Sequence, residues 1–163
     1  MKQNKKSVLD VCCGGKCFYF DKAHADVVFA DVRHETVDLY KGRTLTIKPD
    51  VVADFRALPF SDGEFHVVVF DPPHLRRAGR NGWQAKRYGV LNDKWQELLR
   101  QGFVECFRVL AANGVLIFKW NETDIPISRV LELTPYPPLL GNRCGKQSKT
   151  HWVIFYKSKK LKP

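Results

Sequence analysis

Four short valine-rich runs each contain or lead into an aspartate, and this repeat constrains the fold more than any other feature. Residues 8–12 (VLDVC) contain Asp10. Residues 27–30 run into Asp31, 51–53 into Asp54, and 67–70 into Asp71. Apolar runs this short, bounded by Gly, Asp or Pro, suit strands buried on both faces. Two further runs follow at 115–118 and 152–156. Between the fourth and fifth runs, Trp95, Leu98, Leu99, Phe103, Cys106, Phe107 and Leu110 keep helical spacing. Asn92 or Asp93 suits the start of that helix, and Asn113-Gly114 its end. A second helix is expected over 126–133, with Pro126 in its first turn. Val37, Leu39, Leu45 and Ile47 alternate about Lys41-Gly42-Arg43, which predicts a small hairpin. Strands alternating with helices predict an α/β fold with a mostly parallel sheet.

The length of 163 residues suits one domain at roughly 150 residues each. We expect it to span 1–163, with a core over 7–157, a flexible basic tail at 158–163 and no separate target-recognition domain. The apolar runs are far too short to span a bilayer. The basic start lacks a signal peptide's features, because Asp10 interrupts its apolar stretch and no small-residue cleavage site follows. Five cysteines, two of them adjacent at Cys12 and Cys13, are poor disulfide arithmetic. They favour a reducing compartment and a cytoplasmic protein. The spacing of Cys12, Cys13 and Cys17 is not a metal-ligand pattern, so no metal site is expected.

Charge is unevenly placed. Lys and Arg number 27 against 17 Asp and Glu, a formal net charge of +10. Arg76, Arg77, Arg80, Lys86 and Arg87 fall between 75 and 92 with no acid among them. From 133 to the end, Arg143, Lys146, Lys149, Lys157, Lys159, Lys160 and Lys162 again meet no acid. Such segments suit a polyanion such as nucleic acid, and equally a solvated basic surface.

In parallel sheets, ligands sit at the carboxyl ends of the strands. Cys12-Cys13-Gly14-Gly15 follows the first run, where glycines allow a sharp turn and a close backbone approach. Asp31 stands 16 residues past Gly15, near the spacing of an acid that accepts ribose hydroxyls. Asp54 after the third run could read an amino group on a base. After the fourth comes Asp71-Pro72-Pro73-His74. Two prolines cannot donate main-chain hydrogen bonds and are stiff, so they hold carbonyl acceptors beside a carboxylate. A flat ring then follows at His74. These features suit a planar group with an exocyclic amine. The bland reading of each is a strand-to-helix turn, a capping Asp or a proline-rich strand exit.

Taken in order, DVCCGG, the acid at Asp31, ADFRALPF, VVFDPPH and GVLIFKW resemble a class I S-adenosylmethionine-dependent methyltransferase over nearly the whole chain. DPPH is similar to the (D/N/S)PP(Y/F/W) motif of enzymes that methylate amino groups of nucleic-acid bases. The resemblance implies a Rossmann-like, seven-stranded sheet of order 3-2-1-4-5-7-6, its last strand antiparallel, with helices on both faces. It implies that Asp10, Cys12, Cys13, Gly14 and Gly15 hold the methionine part of S-adenosylmethionine. Asp31 and Val32 would meet the ribose, and Asp54, Phe55 and Arg56 the adenine. Asp71, Pro72, Pro73 and His74 would hold the acceptor amine. S-adenosylhomocysteine would be the product. Two departures stand out: Cys12 replaces the first glycine of the usual DxGxG, and His74 replaces an aromatic carbocycle.

The stretch 75–92 is long for a loop and carries Trp83 and Tyr88, as a substrate lid would. Arg76, Arg77, Arg80, Trp83, Lys119, Trp120 and Arg143 are the candidate substrate contacts. Three functions remain open: methylation of a nucleic-acid amine, adenine first; methylation of a small molecule or protein; and non-catalytic nucleic-acid binding. DNA or RNA is the expected partner, with a protein partner for target recognition a further option.

Overall fold

A computed structural model describes residues 6–76, 82–145 and 147–159. The chain runs β1 (Val8–Asp10), β2 (Val27–Asp31), β3 (Glu35–Asp38), β4 (Thr44–Ile47), β5 (Val51–Val52) and β6 (Phe65–Phe70). It continues α1 (Trp83–Tyr88), α2 (Trp95–Val109), β7 (Leu110–Asn121), α3 (Ile127–Leu131), β8 (Leu140–Arg143) and β9 (Thr150–Tyr156). Seven strands form one sheet in the order β5-β2-β1-β6-β7-β9-β8. Its pairs are parallel except those of β9, which runs antiparallel to both β7 and β8. This is the expected order, with the last strand antiparallel. The chain steps from β1 to β2 on one side and returns to β6 on the other, so a crevice opens between β1 and β6, where such folds bind ligands.

Alternation along the strands separates two faces. Leu9, Val28, Ala30, Val68, Phe70, Leu116, Phe118, Trp120, Val153 and Phe155 join one core with α2 and α3. Within it Phe70, Phe103 and Phe118 pack ring to ring at 4.9 to 5.7 Å between centroids. Val8, Val27 and Phe29 face the other way and meet Cys13 and Tyr19. Coverage of the two faces departs from the expectation of helices on both. Among the described residues no helix covers this second face near β1 and β2. Residues 11–26 cross it as turns, with Lys16 in the left-handed region at φ 56°. The segment's glycine pair and scattered polar residues leave no continuous apolar stripe for a helix to bury.

The hairpin is present: β3 pairs antiparallel with β4, around a turn at Tyr40–Gly42. Two element boundaries moved. Helix α2 ends at Val109, because Leu110 already pairs with Phe65 of β6; Asn113, at φ 63°, instead forms an irregularity inside β7. Asn92 acts just before the helix, its side chain accepting from the Lys94 N–H. Strand β8 carries no valine run. All four of its residues are exposed, and β9 is its strand partner. Of the expected tail, only 158 and 159 are described. No helix among the described residues is long and apolar enough to cross a membrane.

Candidate active site

The loop after β1 is pinned by its own sequence. The Asp10 carboxylate, 1 % exposed, accepts from the Cys12 N–H at 3.1 Å, and the Cys13 N–H donates to the Ala30 carbonyl at 2.9 Å. Gly14 takes φ 47°, and its N–H donates to Asp31 Oδ2 at 2.9 Å. At Gly15 an added Cβ would stand 2.6 Å from Leu45 Cδ1, so any larger residue would push the Leu45 side chain of the hairpin aside. Asp31, at the end of β2, also accepts on Oδ1 from the Arg33 N–H (2.9 Å) and its Nε (3.3 Å). A carboxylate offers about four lone-pair sites, so one on Oδ2 remains for a ligand hydroxyl.

Asp71 leaves β6 beside Lys119 of β7, whose Nζ lies 3.1 Å from both carboxylate oxygens. Burial pushes the Asp71 carboxyl up, and the Lys119 charge opposes it. His74 is held below its usual value by burial and by Lys119, so its ring is neutral near pH 7. That ring lies 5.3 Å from Tyr88. Across the stretch 75–92, the Leu91 N–H donates to the Leu75 carbonyl at 2.8 Å. Within it the expected loop contains α1. Arg33 reaches across to this helix, donating from Nη1 to the Lys86 carbonyl at 3.0 Å.

These parts meet at one cavity of about 230 Å³. Its wall takes in Cys12, Cys13, Gly14, Gly15, Asp31, Val32 and Phe55 on one side and Asp71, Pro72, Pro73 and His74 on the other. A second cavity of about 690 Å³ shares His74, Tyr88 and Lys119 with it and opens past Trp83, Asn121, Asp124 and Thr150. Thus the loop after β1, the acid after β2 and the DPPH segment converge, and Lys119 and Trp83 join them.

Other candidates stand elsewhere. Asp10 lies behind the loop rather than on the cavity. Asp54 and Arg56 are absent from the wall and pair with each other near solvent, which holds the Asp54 carboxyl below its usual range. Trp120 is fully buried, its indole N–H donating to the Ile125 carbonyl at 2.9 Å, so it is a core residue and not a surface for substrate. Arg143 is bound to Glu122 and the Ser148 carbonyl, away from both cavities. Arg76 donates its N–H to Asp124 and pairs with Asp93. Arg77 and Arg80 lie outside the described residues. Leu45, Phe18 and Thr150 are wall residues that sequence reasoning missed; Leu45 alone had a signal, as an apolar residue of the hairpin.

The cysteines are free thiols. Cys12 packs toward the helix-covered core and Cys13 toward the opposite face, so the adjacent pair diverges. Burial pushes both thiols well above their usual value, which keeps them protonated and poor nucleophiles. No group of three or more His, Cys, Asp or Glu among the described residues is placed to hold a metal ion.

The sheet order, its single antiparallel strand and the crevice at the strand ends define the class I methyltransferase fold. Solved structures share it at low sequence identity. A Pyrococcus horikoshii OT3 protein matches 97% of this chain and 84% of its own, with 18% identity and a TM-score of 0.60. The 1,6-didemethyltoxoflavin-N1-methyltransferase of Burkholderia thailandensis, solved with S-adenosylhomocysteine, matches over 93% and 71% at 12% identity and a TM-score of 0.54. A SAM-dependent methyltransferase of Methanosarcina mazei matches over 97% and 94% at 12% and 0.54. No protein-family model matches the sequence, and no curated protein matches it.

Proposed function

We propose that the chain is an S-adenosylmethionine-dependent methyltransferase that methylates an exocyclic amino group of a nucleic-acid base, adenine foremost. One observation carries the reading: the glycine loop with Asp31 and the DPPH segment wall a single cavity. The wall suits the cofactor. Gly14 and Gly15 bring bare backbone to the wall, Asp31 keeps an acceptor site, and Phe55 offers an apolar surface. When bound, S-adenosylmethionine supplies a methyl group already activated on a positively charged sulfur.

The protein's own part is placement. Asp71 and the Pro72 carbonyl accept the N–H bonds of the amine, draw its nitrogen toward tetrahedral geometry and stabilise the positive charge it gains. The extra proton is then lost to solvent, because a methylated aromatic amine is too weak a base to keep it at pH 7. Neutral His74, with Tyr88 beside it, gives the base a face to stack on. Arg87 and Lys119 add positive charge to the same wall, and Trp83 a second ring further out.

A second reading, methylation of a small heterocyclic amine, is favoured by Asp124. It puts a carboxylate in the outer cavity, where a phosphate backbone would meet like charge. The Burkholderia neighbour is named for such a small heterocycle. Incubation with methyl-labelled cofactor and separate pools of RNA, DNA and metabolites decides between them. Label in RNA or DNA supports the first, label only in metabolites supports the second, and no cofactor binding at millimolar concentration removes both.

A further inference from the structure

The contact between Lys119 and Asp71 has a role beyond the charge that Lys119 adds to the wall. Strands β6 and β7 are parallel neighbours with Phe70 opposite Phe118. The next residue of each strand is therefore Asp71 and Lys119, and their side chains meet by register. The contact is bidentate, 3.1 Å to each oxygen, and the two side chains are 20% and 18% exposed. The ammonium also stands 4.8 Å over the Phe18 ring, so it is held on two sides.

The groups facing Asp71 come from several elements. Lys119 is the cation on it from β7. Asp10 and Cys12 from the β1 loop lie close enough for the Asp71 charge to raise their own proton affinity. His74 lies on its own exit, and Arg87 and Tyr88 of α1 share its cavity.

We infer that Lys119 is a positioning residue that keeps the Asp71 carboxylate charged and aimed at the acceptor amine. This rests on the reading that Asp71 receives the amine. A carboxylate so enclosed binds a proton unless a cation opposes it. A protonated Asp71 would turn a donor toward the amine and lose an acceptor. Lys119 prevents that.

The test uses the whole chain and needs no cofactor. Carbon-13 carboxyl NMR, with Asp71 assigned by its absence in Asp71→Asn, follows the titration of Asp71. Lys119→Met should raise its midpoint by about 1 pH unit or more, and Lys119→Arg should leave it near wild type. An unchanged midpoint in Lys119→Met overturns the inference. Where the Met variant does not fold, Lys119→Gln carries the same comparison. In the transfer assay the Lys119→Met rate should recover as pH rises, whereas an equal loss at every pH overturns a positioning role. If wild type neither binds cofactor nor transfers methyl, the proposed function fails while the carboxyl titration still decides this point.

Discussion

Gly102 is expected to link core packing to the cofactor cavity. It sits inside α2, where glycine costs about 1 kcal/mol relative to alanine. On propensity alone, Gly102→Ala stabilises. The surroundings say otherwise. A Cβ there would stand 2.8 Å from Phe55 Cδ2 and 2.8 Å from Phe70 Cζ. Phe70 is fully buried and wedged against Phe103 and Phe118, so it cannot retreat. Phe55 can, because its other side borders the cavity. Overpacking of this kind costs roughly 1–3 kcal/mol. Set against the helical gain, the net loss is about 1 kcal/mol, or ~2–4 °C in Tm for a chain of this size. The displaced ring narrows the cavity, so affinity for S-adenosylmethionine falls by about tenfold or more, which is ~1.4 kcal/mol. Thermal melts and calorimetry measure the two effects. Adding Phe55→Leu should restore stability to the double variant, since the smaller side chain vacates the contact. A Gly102→Ala protein about 1 kcal/mol more stable, with unchanged cofactor affinity, would refute the reasoning.

Three further predictions follow from named contacts. The Asp10 carboxyl is pushed up to about 7, by burial above all. The native state therefore holds a proton the unfolded state releases near pH 4, and stability falls as pH rises from about 4 to 7. Asp10→Asn keeps an acceptor for the Cys12 N–H and should flatten that slope in urea melts; a slope identical to wild type would exonerate Asp10. Arg33→Ala cuts the tie between Asp31 and α1. It should raise KM for the methyl acceptor about tenfold with a smaller change in cofactor affinity, and the reverse pattern in steady-state kinetics would assign Arg33 to the cofactor. Arg108 donates to the Leu58 and Phe60 carbonyls and holds Glu105 below its usual value. Arg108→Met should cost about 2–3 kcal/mol. It should also remove the Glu105 contribution, which is present above pH ~4.5 and lost as pH falls through the lowered native value. A variant denaturant midpoint equal to that of wild type at every pH from 3 to 7 would contradict both parts.

The sheet was legible because its strands carry a strong local signal. Buried parallel strands must be apolar on both faces, and valine runs supply that. Helix α2 was legible from its spacing, and the hairpin from alternation about Lys41-Gly42-Arg43. Strand β8 was not, because an exposed edge strand needs no apolar pattern and takes its conformation from β9. That turns rather than a helix cover the second face over β1 and β2 among the described residues was not legible either, since a missing helix leaves no positive mark.

The residues near the cavity divide in the same way. The sequence by itself determined which side chains stand at the strand ends, because a strand's end and the acid or glycine after it are adjacent in the chain. Asp31, Asp71 and the Gly14-Gly15 turn are of this kind. Only the tertiary structure decided which of those ends meet, and what closes over them. Register brought Lys119 onto Asp71 across 48 residues. The hairpin laid Leu45 over Gly15, Trp120 turned into the core, and the Asp54 carboxylate went to Arg56 rather than to the cavity. Charge obeys the same division: +10 is a property of the chain, but where each cation acts depends on the partner that folding brings within a few ångströms, since charges at longer range are screened by salt.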